Sequence, residues 1–97
     1  MRLFHRTSIP PADVISAADA FFPRLDLTAA VTSARSRSFT GVLGTMKLSA
    51  RPEGGHYTFV EVHTDQIGES RLDKNVKKFF VQLHRMAEPA HLLDAGY

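Results

Sequence analysis

The chain has 97 residues, of which 43% are hydrophobic and 23% charged, with a formal net charge of +2. That balance is too apolar for a disordered segment and points to one globular domain with a modest core. It contains no Cys, which excludes disulfides and thiolate metal sites and favours a cytoplasmic compartment. No apolar run approaches the roughly 18 residues of a membrane span, and charge and Pro break the N-terminal MRLFHRTSIPP too early for a signal peptide.

In chain order, residues 2–9 alternate weakly and predict an edge strand that Pro10 and Pro11 end. Pro suits the first turn of a helix and Asp13 suits its N-terminus. Val14, Ala17, Ala18, Phe21 and Phe22 then recur at helical spacing, so a helix is expected over 11–22, stopped by Pro23. Residues 28–39, TAAVTSARSRSF, are rich in Thr, Ser and Val and read as one strand. TGVLG (40–44) is a turn. TMKLSAR (45–51) alternates cleanly, RPEGG (51–55) signals a hairpin, and HYTFVEVHT (56–64) is the next strand. After Gly68, SRLD forms a capping box with Ser70 as cap and Asp73 in place of the usual Glu. Leu72, Val76, Phe79, Phe80, Leu83 and Met86 mark one apolar stripe, which Pro89 ends.

The order β-α-β-β-β-α, with one apolar stripe per helix, implies a two-layer α+β sandwich: an antiparallel sheet with both helices on one face and the other face open. A single domain is expected over 1–88, followed by a short C-terminal tail, 89–97.

Turn chemistry assigns the faces. A three-residue loop Pro52-Glu53-Gly54 pairs Arg51 with Gly55. It turns Met46, Leu48, Ala50, Thr58, Val60 and Val62 toward the helices and Thr45, Lys47, Ser49, Tyr57, Phe59, Glu61 and His63 outward. A two- or four-residue loop flips one strand against the other. Unpaired arginines are costly to bury, so Arg35 and Arg37 are expected outside, with Phe39 beside them and Ala30, Thr32, Ala34, Ser36 and Ser38 inside. The expected binding face is thus Arg35, Arg37, Phe39, Lys47, Tyr57 and Phe59. Aromatic and Arg residues are enriched at protein interfaces. Rings among cations also stack single-stranded bases.

Other constellations are weaker. Glu61, His63 and Asp65 share a strand face with metal-competent atoms, but one strand rarely supplies a whole site, so no metal is expected. The serines lie in no G-x-S-x-G elbow, and the glycines fit no phosphate loop. No catalytic residue and no cofactor are expected. DKNVKKFF reads as the solvated side of a helix.

SFTGVLGTMKL, with Phe39, Gly41 and Gly44 before an alternating strand, resembles the small bacterial polyhydroxyalkanoic acid system family, over most of residues 3–86. That resemblance implies a small non-enzymatic accessory protein. HYTFVEV followed by a helix starting with Lys74, Lys77 and Lys78 resembles double-stranded-RNA-binding domains over 56–86. Phe79 and Phe80 replace that family's small residues, and Asp65, Glu69 and Asp73 oppose phosphate. HRTSIPPADV is similar to the opening of larger helix-grip lipid-binding domains, but the chain is too short for their cavity. The functional expectation is a non-enzymatic binding or assembly module that uses the open face on a protein partner or as a homo-oligomer. The alternative is an RNA- or single-stranded-DNA-binding domain.

Overall fold

The computed structural model describes residues 1–88, Val31 and Thr32 through their backbone only. The elements are β1 (Arg2–Thr7), α1 (Pro11–Phe21), a 3-10 turn (Phe22–Leu25), β2 (Leu27–Ser33), β3 (Ser36–Gly41), β4 (Gly44–Glu53), β5 (Tyr57–Thr64) and α2 (Arg71–Ala87). One antiparallel sheet runs β1-β5-β4-β3-β2. The α+β class, the antiparallel sheet and the single helix layer agree with the sequence reading. The expected tail, 89–97, lies outside the described residues. Among the described residues no helix is long and apolar enough to cross a membrane.

The helices form for local reasons. Pro10 and Pro11 preset the first turn of α1, and its Val14, Ile15, Ala17 and Ala18 are buried. The helix tightens into the 3-10 turn at Pro23, and Asp26 closes that turn in the left-handed region at φ 60°. At α2 the capping box forms. Ser70 Oγ accepts from the Asp73 backbone N–H at 3.0 Å, and the Ser70 hydroxyl donates to Asp73 Oδ2 at 2.8 Å. Asp73 is fully buried and also accepts from the Thr64 hydroxyl at 2.6 Å and the Gly68 N–H at 3.0 Å. Burial pushes its carboxyl up, but these donors outweigh that and hold it below the ordinary carboxylate range.

The core lies between the sheet and the helices. Leu3, Met46, Leu48, Ala50, Val60 and Val62 from the sheet meet Val14, Ala18, Leu72, Val76, Phe79 and Leu83 from the helices. Phe22 is its aromatic hub, with ring centroids 5.1 Å from Phe39, 5.0 Å from Phe79 and 5.0 Å from Phe21.

The stretch read as one strand over 28–39 is a hairpin: β2 and β3 fold back at Ala34-Arg35, with Ser33 paired to Ser36. The Arg35 N–H donates to Ser33 Oγ at 3.2 Å, and Ser33 and Ser36 hydroxyls bond at 2.8 Å. These short side chains serve the backbone at the turn in place of a longer ladder.

The β4–β5 loop is three residues long but sits two residues later than expected, at Gly54-Gly55-His56. Glu53 pairs Tyr57 and Arg51 pairs Phe59. Gly55 and His56 take left-handed conformations at φ 79° and 66°. Pro52 stays in the strand because β3 ends its pairing with β4 at Ser49, leaving no ladder partner for the missing N–H. Each expected partner moves by four residues along β5. An even shift preserves faces, so Met46, Leu48, Ala50, Thr58, Val60 and Val62 all face the helices and are buried.

Candidate protein-interaction face

Strand alternation carries Arg2, Phe4 and Arg6 of β1, Tyr57, Phe59, Glu61 and His63 of β5, and Lys47, Ser49, Arg51 and Glu53 of β4 to the uncovered face. Cross-strand neighbours there alternate ring and charge. Phe59 lies between Arg6 and Arg51, and Phe4 lies beside Glu61.

The geometry follows from that register. The Phe4 and Phe59 rings are 5.7 Å apart, tilted by 40°. The Arg6 guanidinium carbon stands 5.1 Å from the Phe59 ring centroid, and that of Arg51 stands 4.7 Å from it. Arg2 covers Phe4 at 4.8 Å. Phe59, on the uncovered face, is therefore only 7% exposed, whereas Phe4 is 52% and Tyr57 53% exposed. Cations over ring faces are attracted by the ring quadrupole, and their aliphatic stems shield the ring from water.

Carboxylates orient the arginines. Arg6 Nε donates to Glu53 at 3.1 and 3.2 Å. Arg2 Nε donates to Glu61, and His63 Nε2 lies 3.4 Å from the same carboxylate. The Arg2 hydrogen bond holds the Glu61 carboxyl below its ordinary range, against a burial effect that pushes it up. Arg51 and Lys47 have no carboxylate partner among the described residues.

The residues expected on this face divide. Lys47, Tyr57 and Phe59 lie on it. Phe39 does not: it pairs with Met46, faces the helices and is fully buried against Phe22. Arg37 pairs with Leu48 and shares that inner side. Its side chain is 13% exposed and bonds Asp19 of α1 at 3.1 and 3.3 Å. It also donates to the carbonyls of Ser33 at 2.7 Å and Ser36 at 3.0 Å. Arg35 sits in the β2–β3 turn, on neither face. The expected sides of β3 were thus inverted, with Ser36 and Ser38 opposite Ser49 and Lys47 on the open side. The cost of burying an unpaired arginine is real, but Asp19, 18 residues upstream, removes it for Arg37. Arg2, Phe4, Arg6 and Arg51 were not among the residues expected to bind. The alternation of Arg2, Phe4 and Arg6 is its only trace in sequence, because β1's place beside β5 is a tertiary fact.

Asp65 takes no part in a cluster with Glu61 and His63. Its Oδ1 accepts from the Thr45 N–H at 3.0 Å and from Gln66 Nε2 at 2.7 Å, tying the β5–α2 loop to the start of β4. Gly44 permits that approach: it holds φ 130°, and a Cβ there would lie 2.6 Å from Asp65 Oδ1. Among the described residues no group of three His, Cys, Asp or Glu could hold a metal ion.

Compared with known proteins, the chain matches no protein-family model and no curated protein sequence.

Proposed function

We propose that the chain is a non-catalytic binding module whose β1-β5-β4 face docks a protein partner presenting carboxylates. The observation that carries this is the excess of cations on an aromatic floor. Arg2, Arg6 and Arg51 stand over Phe4 and Phe59, and with Lys47 they outnumber Glu53 and Glu61 on this face. Stacked guanidinium groups are already ordered, so less side-chain freedom is lost on binding. Arg and aromatic residues are what interfaces concentrate, and strands hold them more firmly than loops do. The net positive charge favours an acidic partner over a second copy of the same face. Glu61 and Glu53 pair Arg2 and Arg6, so the face is mixed in charge and suits a partner of mixed surface better than the uniformly anionic backbone of a nucleic acid. The resemblance to polyhydroxyalkanoic acid system proteins points the same way, toward an accessory role.

The test is an amide and side-chain NMR titration with a Glu-rich peptide carrying one aromatic residue, run in parallel with single- and double-stranded oligonucleotides at low and moderate salt. The peptide is expected to shift Phe4, Arg6, Lys47, Arg51 and Tyr57, and the Arg51→Glu variant to abolish those shifts. Tighter oligonucleotide binding at the same residues, with the steep salt dependence of counterion release, overturns the protein-partner reading.

A further inference from the structure

The two edges of the sheet differ. At β1, α2 packs over the helix side, where His5 stacks on Phe80 with centroids 5.1 Å apart. The open side of β1 carries Arg2 and Arg6. At the opposite edge, among the described residues, β2 pairs only with β3. Its sequence, LTAAVTS, contains no charge and no Pro. Leu27, at the start of the strand, is buried in the core, but Thr28, Ala29 and Ala30 are all exposed although they alternate between faces, so the helix layer covers β2 only at its start. Sheet edges are ordinarily guarded by Lys, Pro, bulges or a covering element. Here the register irregularity between Val31 and Ser33 is confined to the far end. Among the described residues nothing guards the row of backbone donors and acceptors that Leu27 to Val31 presents to the outside.

Two opposite charges bracket that row. Asp26 stands immediately before β2, and Arg35 stands in the turn just after it. Both are exposed, and among the described residues neither side chain has an ion pair or hydrogen bond. Arg24 lies further upstream, in the 3-10 turn ahead of the pairing segment.

We propose that β2 is a self-association edge: two copies pair β2 to β2, antiparallel, about a two-fold axis normal to the sheet. An isologous contact applies every pairing twice. Centred on Ala30, it sets Asp26 of one copy opposite Ala34 and beside Arg35 of the other, so the two unpaired charges complement each other at both ends. The small side chains admit a neighbouring strand at the usual spacing of about 4.8 Å. The product is one continuous sheet with both helix layers on the same side, leaving both β1-β5-β4 faces free. The inference is independent of the function proposed for that face. One strand per copy buries less than stable dimers usually do, so the expected dissociation constant is in the range of tens of micromolar.

Sedimentation velocity from about 1 to about 300 µM tests this, with a monomer–dimer equilibrium expected. Ala30→Lys places a guarding charge on an exposed position and should leave only monomer, with an unchanged thermal melt. Arg35→Glu and Asp26→Arg should each weaken the dimer by about fivefold, and the double reversal should restore it to within about twofold. A chain that stays monomeric throughout overturns the proposal. So does a dimer that tolerates Ala30→Lys, and so does one lost on Phe4→Ser, which places the contact on the open face instead.

Discussion

Phe59 is the residue on which the open face turns, and Phe59→Leu isolates what its ring does. Leucine keeps an apolar side chain of similar bulk over β5, so the transfer free energy of burial changes little. What is lost is the ring quadrupole beneath Arg6 and Arg51, at 5.1 and 4.7 Å from the centroid, and the Phe4 contact at 5.7 Å. Each cation–π contact at a partly exposed site contributes about 0.5–1 kcal/mol, and an aromatic pair about 0.5–1.5 kcal/mol. The expected loss is therefore about 1.5–3.5 kcal/mol. For a domain of this size, each kcal/mol lowers Tm by roughly 4–8 °C. Urea unfolding of wild type, Phe59→Leu, Arg51→Met and the double variant gives the coupling directly. The expected Phe59–Arg51 coupling is about 0.5–1 kcal/mol. Phe39→Leu serves as the contrast, since its ring packs against Phe22 within the core. It should destabilise through packing while leaving the Arg51 coupling intact. Additive effects of Phe59→Leu and Arg51→Met, with no coupling, refute the claim that arginines roof this ring.

Further outcomes follow from two ionisable groups, Asp73 and His5. Asp73→Ala removes the acceptor shared by Thr64, Ser70 and Gly68 and should cost roughly 2–4 kcal/mol by denaturant titration. Because the folded-state pKa of Asp73 lies below its ordinary 3.8, its contribution is present above that value. It is lost as pH falls from there through the folded-state value, and the Asp73→Asn variant should show a shallower acid transition. His5 behaves as the base-side case with a depressed pKa. Burial, aided by the nearby His84, lowers it from 6.5, and among the described residues its buried Nε2 has no hydrogen-bond partner. Below pH 6.5 the unfolded chain takes up a proton that the folded chain resists, so stability should fall from there down to the folded-state value. His5→Phe should flatten that segment of the stability–pH curve while retaining the Phe80 contact.

The expectations that held are those whose signals are local. The Ser70–Asp73 cap and the Leu72, Val76, Phe79 and Leu83 stripe lie within α2 itself, so propensity and period suffice to find them. The faces of β4 and β5 were legible despite a misplaced loop, because strand parity survives any even shift in register. The inverted side of β3 shows the limit. Nothing within SARSRSF says that Ala34 and Arg35 turn the chain back, or that Asp19 on α1 waits to neutralise Arg37. The same holds for the candidate site. Lys47, Tyr57 and Phe59 could be placed from alternation along their own strands. The decisive arginines come from β1 and β4, which meet Phe59 only because β5 lies between them in the sheet. Sequence by itself therefore determined the class of the fold, the helices and which residues of the central hairpin are core, since each depends on neighbours a few positions away. Tertiary structure alone decided which cations cover which rings and which strand edge stays bare. Those depend on contacts between residues tens of positions apart, to which local propensity and periodicity are blind.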